Sequence, residues 1–242
     1  MLIDIEGIVL DERSFGESSK ILNVITPKYG VIGVIAKGSK KIKSPLCSVT
    51  SRLTYGRFYL YYKEGKLSVL SNVDVIDSFK IIKKDLKRLS YAFFLLELAG
   101  QVMKQNKVAD IYNLLIACLL KINDGFDPLV ITNILELKYL DYLGVMPVID
   151  RCLICNSVDN IVTISSYKGG YLCKNCCGNE VIVSLKTIKL IRMFYYVDIL
   201  KIVNLQITDG IIKEINRFLN EYYERYTGLY LKSKGFLEQI NN

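Results

Sequence analysis

The chain contains no histidine. That absence excludes the Ser-His-Asp and Cys-His nucleophiles, the H-E-x-x-H metalloproteases and any imidazole general base. No catalytic residue is nominated, and a protein that is not an enzyme is expected. Long apolar runs are missing too. The run around residues 91–96 stops at Glu97, well short of the roughly 18 residues read as a membrane span. The N-terminus MLIDIEGIVLDE has no basic segment ahead of an apolar one, which argues against a secretory signal. Internal repeats, low-complexity tracts and long linkers are also lacking.

What is present is a chain of 242 residues, 51% hydrophobic, enough for one large domain or a few small ones with a packed core. Its formal net charge is +8 and its pI near 9.0. Such a balance suits an acidic partner, nucleic acid first and an anionic membrane surface second.

Four of the cysteines form two C-x2-C pairs, Cys152 with Cys155 and Cys173 with Cys176, separated by residues 156–172. In a zinc ribbon each such pair sits on a tight knuckle, and four thiolates close a tetrahedron around the metal. Cys177, directly behind, offers an alternative fourth ligand. The insert reads as a hairpin. Ile161, Val162, Ile164 and Tyr167 favour strand, and Gly169-Gly170 can supply a turn. A redox site would need only one C-x-x-C, and disulfide scaffolds belong to short secreted chains. Four cysteines leave zinc no open position for water. One structural Zn²⁺ is therefore expected, in a reducing cytoplasm.

Residues 1–78 carry five runs rich in Ile, Val and Tyr, at 3–10, 21–26, 31–36, 53–62 and 67–76, punctuated by Pro27, Gly30, Gly38 and Gly65. Five strands in so short a span suit a small closed barrel, either an OB-fold or an SH3-like barrel. Two features of it could touch nucleic acid. The loop KGSKKIKS at 37–44 crowds Lys37, Lys40, Lys41 and Lys43 around a flexible Gly38-Ser39 and suits phosphates. In the fourth strand, alternation places Tyr55, Arg57, Tyr59 and Tyr61 on one face and Phe58, Leu60 and Tyr62 on the other. The first face has the composition of a base-stacking platform.

From about residue 79 the period turns helical. A stripe of Ile81, Leu86, Leu89, Phe93, Leu96 and Val102 predicts a helix over 80–104, and a second covers 110–121, with Cys118 a buried small hydrophobe. A third begins at Asp127-Pro128 and ends by Gly144 and Pro147, facing a partner with Ile131, Ile134, Leu135, the Lys138 stem, Tyr139 and Tyr142. After the cysteine hairpin at 151–178, Ser184 can cap a fourth helix, and a last one covers 209–227. The domains are thus 1–78, a DNA-binding barrel, and 79–242, a helical domain with the zinc finger inserted at 151–178.

Several stretches together resemble the bacterial RecO family of recombination mediators. They are GIVLDERSFGESSKIL at 7–22, YGVIGVIAKGSKKIKS at 29–44, YGRFYLYYKEG at 55–65, LDYLGVMPVIDRCLIC at 140–155, GGYLCKNC at 169–176 and LKSKGFLEQI at 231–240. The resemblance implies an α+β protein of several domains, with an N-terminal OB-fold barrel and a C-terminal helical domain carrying an inserted four-cysteine zinc finger. It implies binding to single- and double-stranded DNA and annealing of complementary strands coated by single-strand-binding protein (SSB). It also implies joint action with RecR to help RecA onto that DNA. The implied site is cytoplasmic, at the nucleoid. The loop of Lys37, Lys40 and Lys41 lies where the family carries basic DNA-binding residues. Lysine stands here where many relatives use arginine, which keeps the charge but gives up the bidentate fork.

Acidic SSB tails with an apolar end should seek lysines beside an apolar pocket. Lys83, Lys84, Lys87 and Arg88, bordering a helix stripe, supply both. Two other function classes compete. One is a zinc-ribbon RNA-binding or transcription-associated module. The other is a carboxylate-metal nuclease, against which Asp4, Glu6, Asp11 and Glu12 show no paired-carboxylate motif.

Overall fold

The computed structural model describes the backbone of residues 1–241 and the side chains of residues 1–237. These fall into two compact units, Met1–Asp124 together with the segment from Leu231, and Gly125–Tyr230.

In the first unit, β1 (Leu2–Phe15), β2 (Ser19–Thr26), β3 (Gly30–Ala36), β4 (Tyr55–Tyr61) and β5 (Ser68–Asp77) close into a barrel in the order β1-β2-β3-β5-β4. β4 returns antiparallel to β1, and β3 meets β5 in parallel through Val34↔Ser68 and Ile35↔Val69. This Greek-key circuit is that of the OB-fold and not of an SH3-like barrel. The alternation that marks each strand also fills the interior. Val9, Leu22, Val34, Phe58, Leu60 and Val73 point inward and are buried. Each such side chain contributes roughly 1.5–3 kcal/mol of transfer free energy. β1 runs past the expected residue 10 because residues 11–15 zip with β2 beyond a bulge at Val9/Asp11.

The single helix expected over 80–104 is two, α1 (Lys80–Lys84) and α2 (Leu86–Gln105). Asp85 divides them. Its backbone is extended, with φ −123° and ψ 117°, and its carboxylate accepts the Arg88 amide at 2.9 Å as an N-cap. α2 packs on β1 and β3, and α3 (Ala109–Asn123) packs on α2 and β2. Gly100 lets α2 approach the barrel, since a Cβ there would stand 3.0 Å from Leu10 Cδ1. α7 (Lys232–Asn241), which no sequence signal announced, returns to α2.

The second unit is built on α4 (Pro128–Tyr142), capped by Asp127, which accepts the Val130 amide at 3.0 Å. In place of the one apolar stripe expected, α4 is buried on several sides, Thr132, Asn133 and Glu136 included. α5 (Leu185–Tyr196) and α6 (Asp209–Tyr226) both pack on it, and the buried Tyr223 hydroxyl of α6 donates to the Glu136 carbonyl at 2.8 Å. Between α4 and α5 the chain forms the hairpin of β6 (Ile161–Ser165) and β7 (Gly170–Cys173). No helix among the described residues is long and apolar enough to cross a membrane.

Candidate metal centre and nucleic-acid interface

Two backbone turns set the cysteines. In the first, the Asn156 amide donates to the Cys152 carbonyl at 2.9 Å, and Asn156 itself takes a positive φ of 60°. In the second, the amides of Cys176 and Cys177 both donate to the Cys173 carbonyl, at 3.0 and 2.9 Å. Between the knuckles the hairpin reverses at Gly169, whose φ is +95°. Gly170 lies so close to residue 148 that a Cβ would stand 2.6 Å from the Val148 carbonyl oxygen, so only glycine fits. Tyr167, expected in a strand, occupies the turn instead, exposed and with the Arg225 guanidinium 4.7 Å from its ring centroid. The Tyr171 hydroxyl donates to the Ile188 carbonyl at 2.6 Å and the Tyr226 hydroxyl to the Tyr167 carbonyl at 2.7 Å, tying the hairpin to α5 and α6.

The result is a cluster in which the sulfurs of Cys152, Cys155, Cys173 and Cys176 all lie within 4.8 Å of one another. None is in a disulfide. Cys155 and Cys173 sulfurs are 3.7 Å apart, close to the edge of about 3.8 Å that a tetrahedron of Zn–S bonds near 2.3 Å would have. Cys177 is not a member of the group. It is buried, and its thiol donates to the Lys174 carbonyl at 3.2 Å.

Charge makes the same point as geometry. Burial opposes the Cys152 thiolate, but the backbone amides of Cys155, Cys173 and Ile154 outweigh it and bring that thiol down to about 6. The Cys176 thiol is pushed up to about 12 by its hydrogen bonds with the Cys173 and Cys155 sulfurs. Packed sulfurs therefore ionise against one another, and a bound cation removes the conflict. Four soft thiolates and no open position fit a structural metal ion.

The lysine loop is ordered by its small residues. Ser39 is buried and donates to the Ala36 carbonyl at 2.9 Å, the Lys40 amide donates to the Ser18 carbonyl at 2.8 Å, and the Lys41 amide to the Gly38 carbonyl at 3.1 Å. These anchors leave Lys37, Lys40, Lys41 and Lys43 exposed, and none has an ion pair among the described residues. Ile42 stands among them 96% exposed, an apolar side chain that the lysine count concealed.

The β4 face differs from expectation at its first residue. Tyr55 is buried, its ring against Phe79, the residue before α1. The two stacked rings have centroids 5.9 Å apart, and the Tyr55 hydroxyl donates to Glu6 Oε1 at 2.8 Å, which also accepts from Tyr112 at 3.1 Å. Burial first, then Glu6, raise the Tyr55 phenol well above its ordinary range. It has no face to offer a base. Arg57 and Tyr59 do lie on the outer face, but acids hold them. Arg57 pairs with Asp4 at 2.9 Å, and the Tyr59 hydroxyl donates to Asp74 at 2.9 Å, which raises its pKa. Asp4, Glu6 and Asp74 face one arginine there, a charge balance that repels phosphate.

On α1 and α2, Lys83, Lys84 and Lys87 are exposed beside exposed Ile81 and Leu86, whereas Arg88 reaches back to the Ile122 carbonyl at 2.8 Å. A further group of lysines, Lys28, Lys63, Lys66 and Lys107, lines a cleft around Tyr29 and Tyr62. No motif marks them, because they come from three separate turns.

These features define a class: a basic OB-type barrel in one chain with a helical unit that carries a four-cysteine, metal-competent hairpin. Two family models divide the chain between them, recombination protein O N terminal over residues 1–79 and recombination protein O C terminal over residues 83–235. The chain is 35% identical to the DNA repair protein RecO of Bacillus velezensis, with 100% of this chain and 96% of that protein covered. It is 34% identical to the protein of the same name from Bacillus subtilis at the same coverage, and 33% identical to that of Halalkalibacterium halodurans over 98% of this chain and 94% of the relative. The chain belongs to the RecO family of DNA repair proteins.

Proposed function

We propose that this protein is a recombination mediator that binds single- and double-stranded DNA, anneals complementary strands while SSB coats them, and with RecR promotes RecA loading. The observation that carries the reading is the ordered loop that holds Lys37, Lys40, Lys41 and Lys43 exposed and, among the described residues, without acidic partners on an OB-type barrel. Annealing brings two polyanions together and breaks no covalent bond. A group that neutralises phosphates on both strands lowers the repulsion, and each contact releases condensed counterions. No catalytic residue is required. Ile42, projecting between the lysines, offers an apolar contact to an unstacked base.

In this reading Cys152, Cys155, Cys173 and Cys176 hold one Zn²⁺, whose chemistry is to close the hairpin and not to activate water. The exposed Lys83, Lys84 and Lys87 beside Ile81 and Leu86 suit an acidic tail with an apolar end, such as that of SSB. The domain division at 78/79, with the finger at 151–178, and a cytoplasmic, nucleoid-associated site belong to the same proposal. The test is the annealing of SSB-coated complementary oligonucleotides with and without the protein. Faster pairing is expected, abolished when the SSB tail is removed while binding to bare DNA persists. Equal rates with and without the protein would sink the mediator reading and favour an RNA-binding or transcription-associated module.

A further inference from the structure

At the N-terminal end of β3, away from the lysine loop at its C-terminal end, the barrel opens into a cleft of about 580 Å³. The opening has a plain cause. The β3–β5 register begins only at Val34, so residues 31–33 line the cleft where the turn 62–67 crosses them. Gly33 permits the crossing, since a Cβ there would stand 2.8 Å from Leu67 Cδ2. The rim carries Lys28, Lys63, Lys66 and Lys107 against one carboxylate, Glu64. All four lysines are exposed, and none has an ion pair among the described residues. Within the cleft Tyr29 and Tyr62 are half-buried and stacked, with centroids 4.5 Å apart and planes 27° from parallel, and the Lys28 ammonium lies 5.3 Å from the Tyr29 ring centroid.

The contrast with the β4 face is chemical. There the tyrosine and arginine groups are held by carboxylates; here an aromatic stack is ringed by unpaired ammonium groups. Phosphates and a π-face are what one nucleic-acid strand presents together. In a duplex the base faces are already stacked and only edges and backbone are offered. Distance allows one strand to use both ends of β3. Its seven residues span roughly 20 Å, a distance that a few nucleotides of an extended single strand cover.

The geometry points to this cleft as a second contact for a single nucleic-acid strand, in which Lys63, Lys66 and Lys107 hold phosphates and a base adds to the end of the Tyr29–Tyr62 stack. The inference rests on the barrel being the DNA-binding part of the protein, and the experiment separates the two. The probe is fluorescein-labelled oligothymidylate of about 12 nucleotides, long enough to reach both loop and cleft, titrated with the full chain over a range of salt.

The triple variant Lys63→Ala, Lys66→Ala, Lys107→Ala should flatten the slope of log K against log salt by about 2, since each phosphate contact on a single strand contributes about 0.7. Lys40→Ala with Lys41→Ala should flatten it by about 1.4, and all five changes together by about 3.5. Tyr62→Leu keeps an apolar side chain against the barrel core. It should weaken binding roughly 5- to 100-fold without changing the slope, the loss of one stacked base. The lysines are at the surface, so melting curves should match the unaltered protein.

A triple variant that binds like the unaltered protein while the loop variant loses affinity would overturn the cleft and leave the barrel reading standing. If neither variant loses affinity, the barrel is not the DNA-binding part and both readings fall. A Tyr62→Leu variant with full affinity overturns the base contact. The assignment to a single strand is overturned if a duplex of the same length shows the same losses. Competition by an oligoglutamate as effective as oligothymidylate would make the cleft an acidic-peptide site instead.

Discussion

The cysteine hairpin and the lysine loop are built in opposite senses. In the hairpin the polar groups turn inward: four sulfurs converge within 4.8 Å and backbone amides close each knuckle. In the loop the backbone amides are satisfied by Ser18 and Gly38 and the Ser39 hydroxyl by Ala36, and the charged groups turn outward with no acid to meet them among the described residues. Converging ligands satisfy one another and hold a fold together, so their loss should be read in stability. Diverging charges satisfy nothing within the chain, so their loss should be read in binding. The β4 face sharpens the lesson, because Arg57 is exposed like the lysines and Tyr59 is half-buried beside it, yet Asp4 and Asp74 hold them. Exposure without an unmet charge is not a binding site.

The largest effect should come from breaking the inward cluster. Metal-coupled folding of such knuckles carries free energy on the order of 10 kcal/mol. Cys152→Ser with Cys173→Ser should therefore remove the metal and unfold residues 151–178, seen as lost zinc on elemental analysis and lost amide protection there. Binding of DNA by the barrel should survive. Protein purified under reducing conditions with no zinc would contradict the account.

Next is Tyr55, expected on the outer face and found in the core. Tyr55→Ala should cost about 3 kcal/mol or more, as for other buried aromatics, and Tyr55→Phe about 1 kcal/mol, since Tyr112 still donates to Glu6. Urea unfolding would measure both. A Tyr55→Phe variant with normal stability and weakened DNA binding would return this residue to the interface.

A smaller effect is expected at α7. Burial opposes the Glu97 carboxylate, but the Ser233 hydroxyl, the Ser233 and Lys232 amides and Arg52 hold its pKa below the usual value. A depressed pKa in the folded state means the stabilisation is complete above the unfolded pKa, near 4.3, and is lost as pH falls through the folded value. Protection of the Lys232 and Ser233 amides should thus drop on acidification below about pH 4. Glu97→Gln should weaken it already at neutral pH and remove the acid dependence. Acid dependence that persists in Glu97→Gln would assign the effect elsewhere.

The parts that could be read in the sequence are those whose signal is local. Alternation gave the five strands, and paired C-x2-C spacing gave the hairpin and its four sulfurs. Asp127-Pro128 and Ser184 announced the starts of α4 and α5. What escaped depends on partners far along the chain. α7 takes its cap from Glu97, and the ring of Tyr55 is covered by Phe79 and its hydroxyl shared with Tyr112 on Glu6. Asp85 breaks a helical stripe that continues on either side of it, so periodicity runs across the boundary. The choice of Cys176 over Cys177 follows from turn geometry that adjacent identical residues cannot reveal. The lysines of the cleft come together only when the barrel closes.

The most direct test of outward, unpaired charge as the functional feature is the salt dependence of single-strand binding in two matched variants. Lys37→Ala, Lys40→Ala, Lys41→Ala, Lys43→Ala should flatten log K against log salt by about 2.8. Arg57→Ala with Tyr59→Phe should leave both slope and affinity unchanged and stability nearly so, as for other exposed pairs. A flattened slope in the Arg57 variant and an unaltered one in the lysine variant would contradict the account.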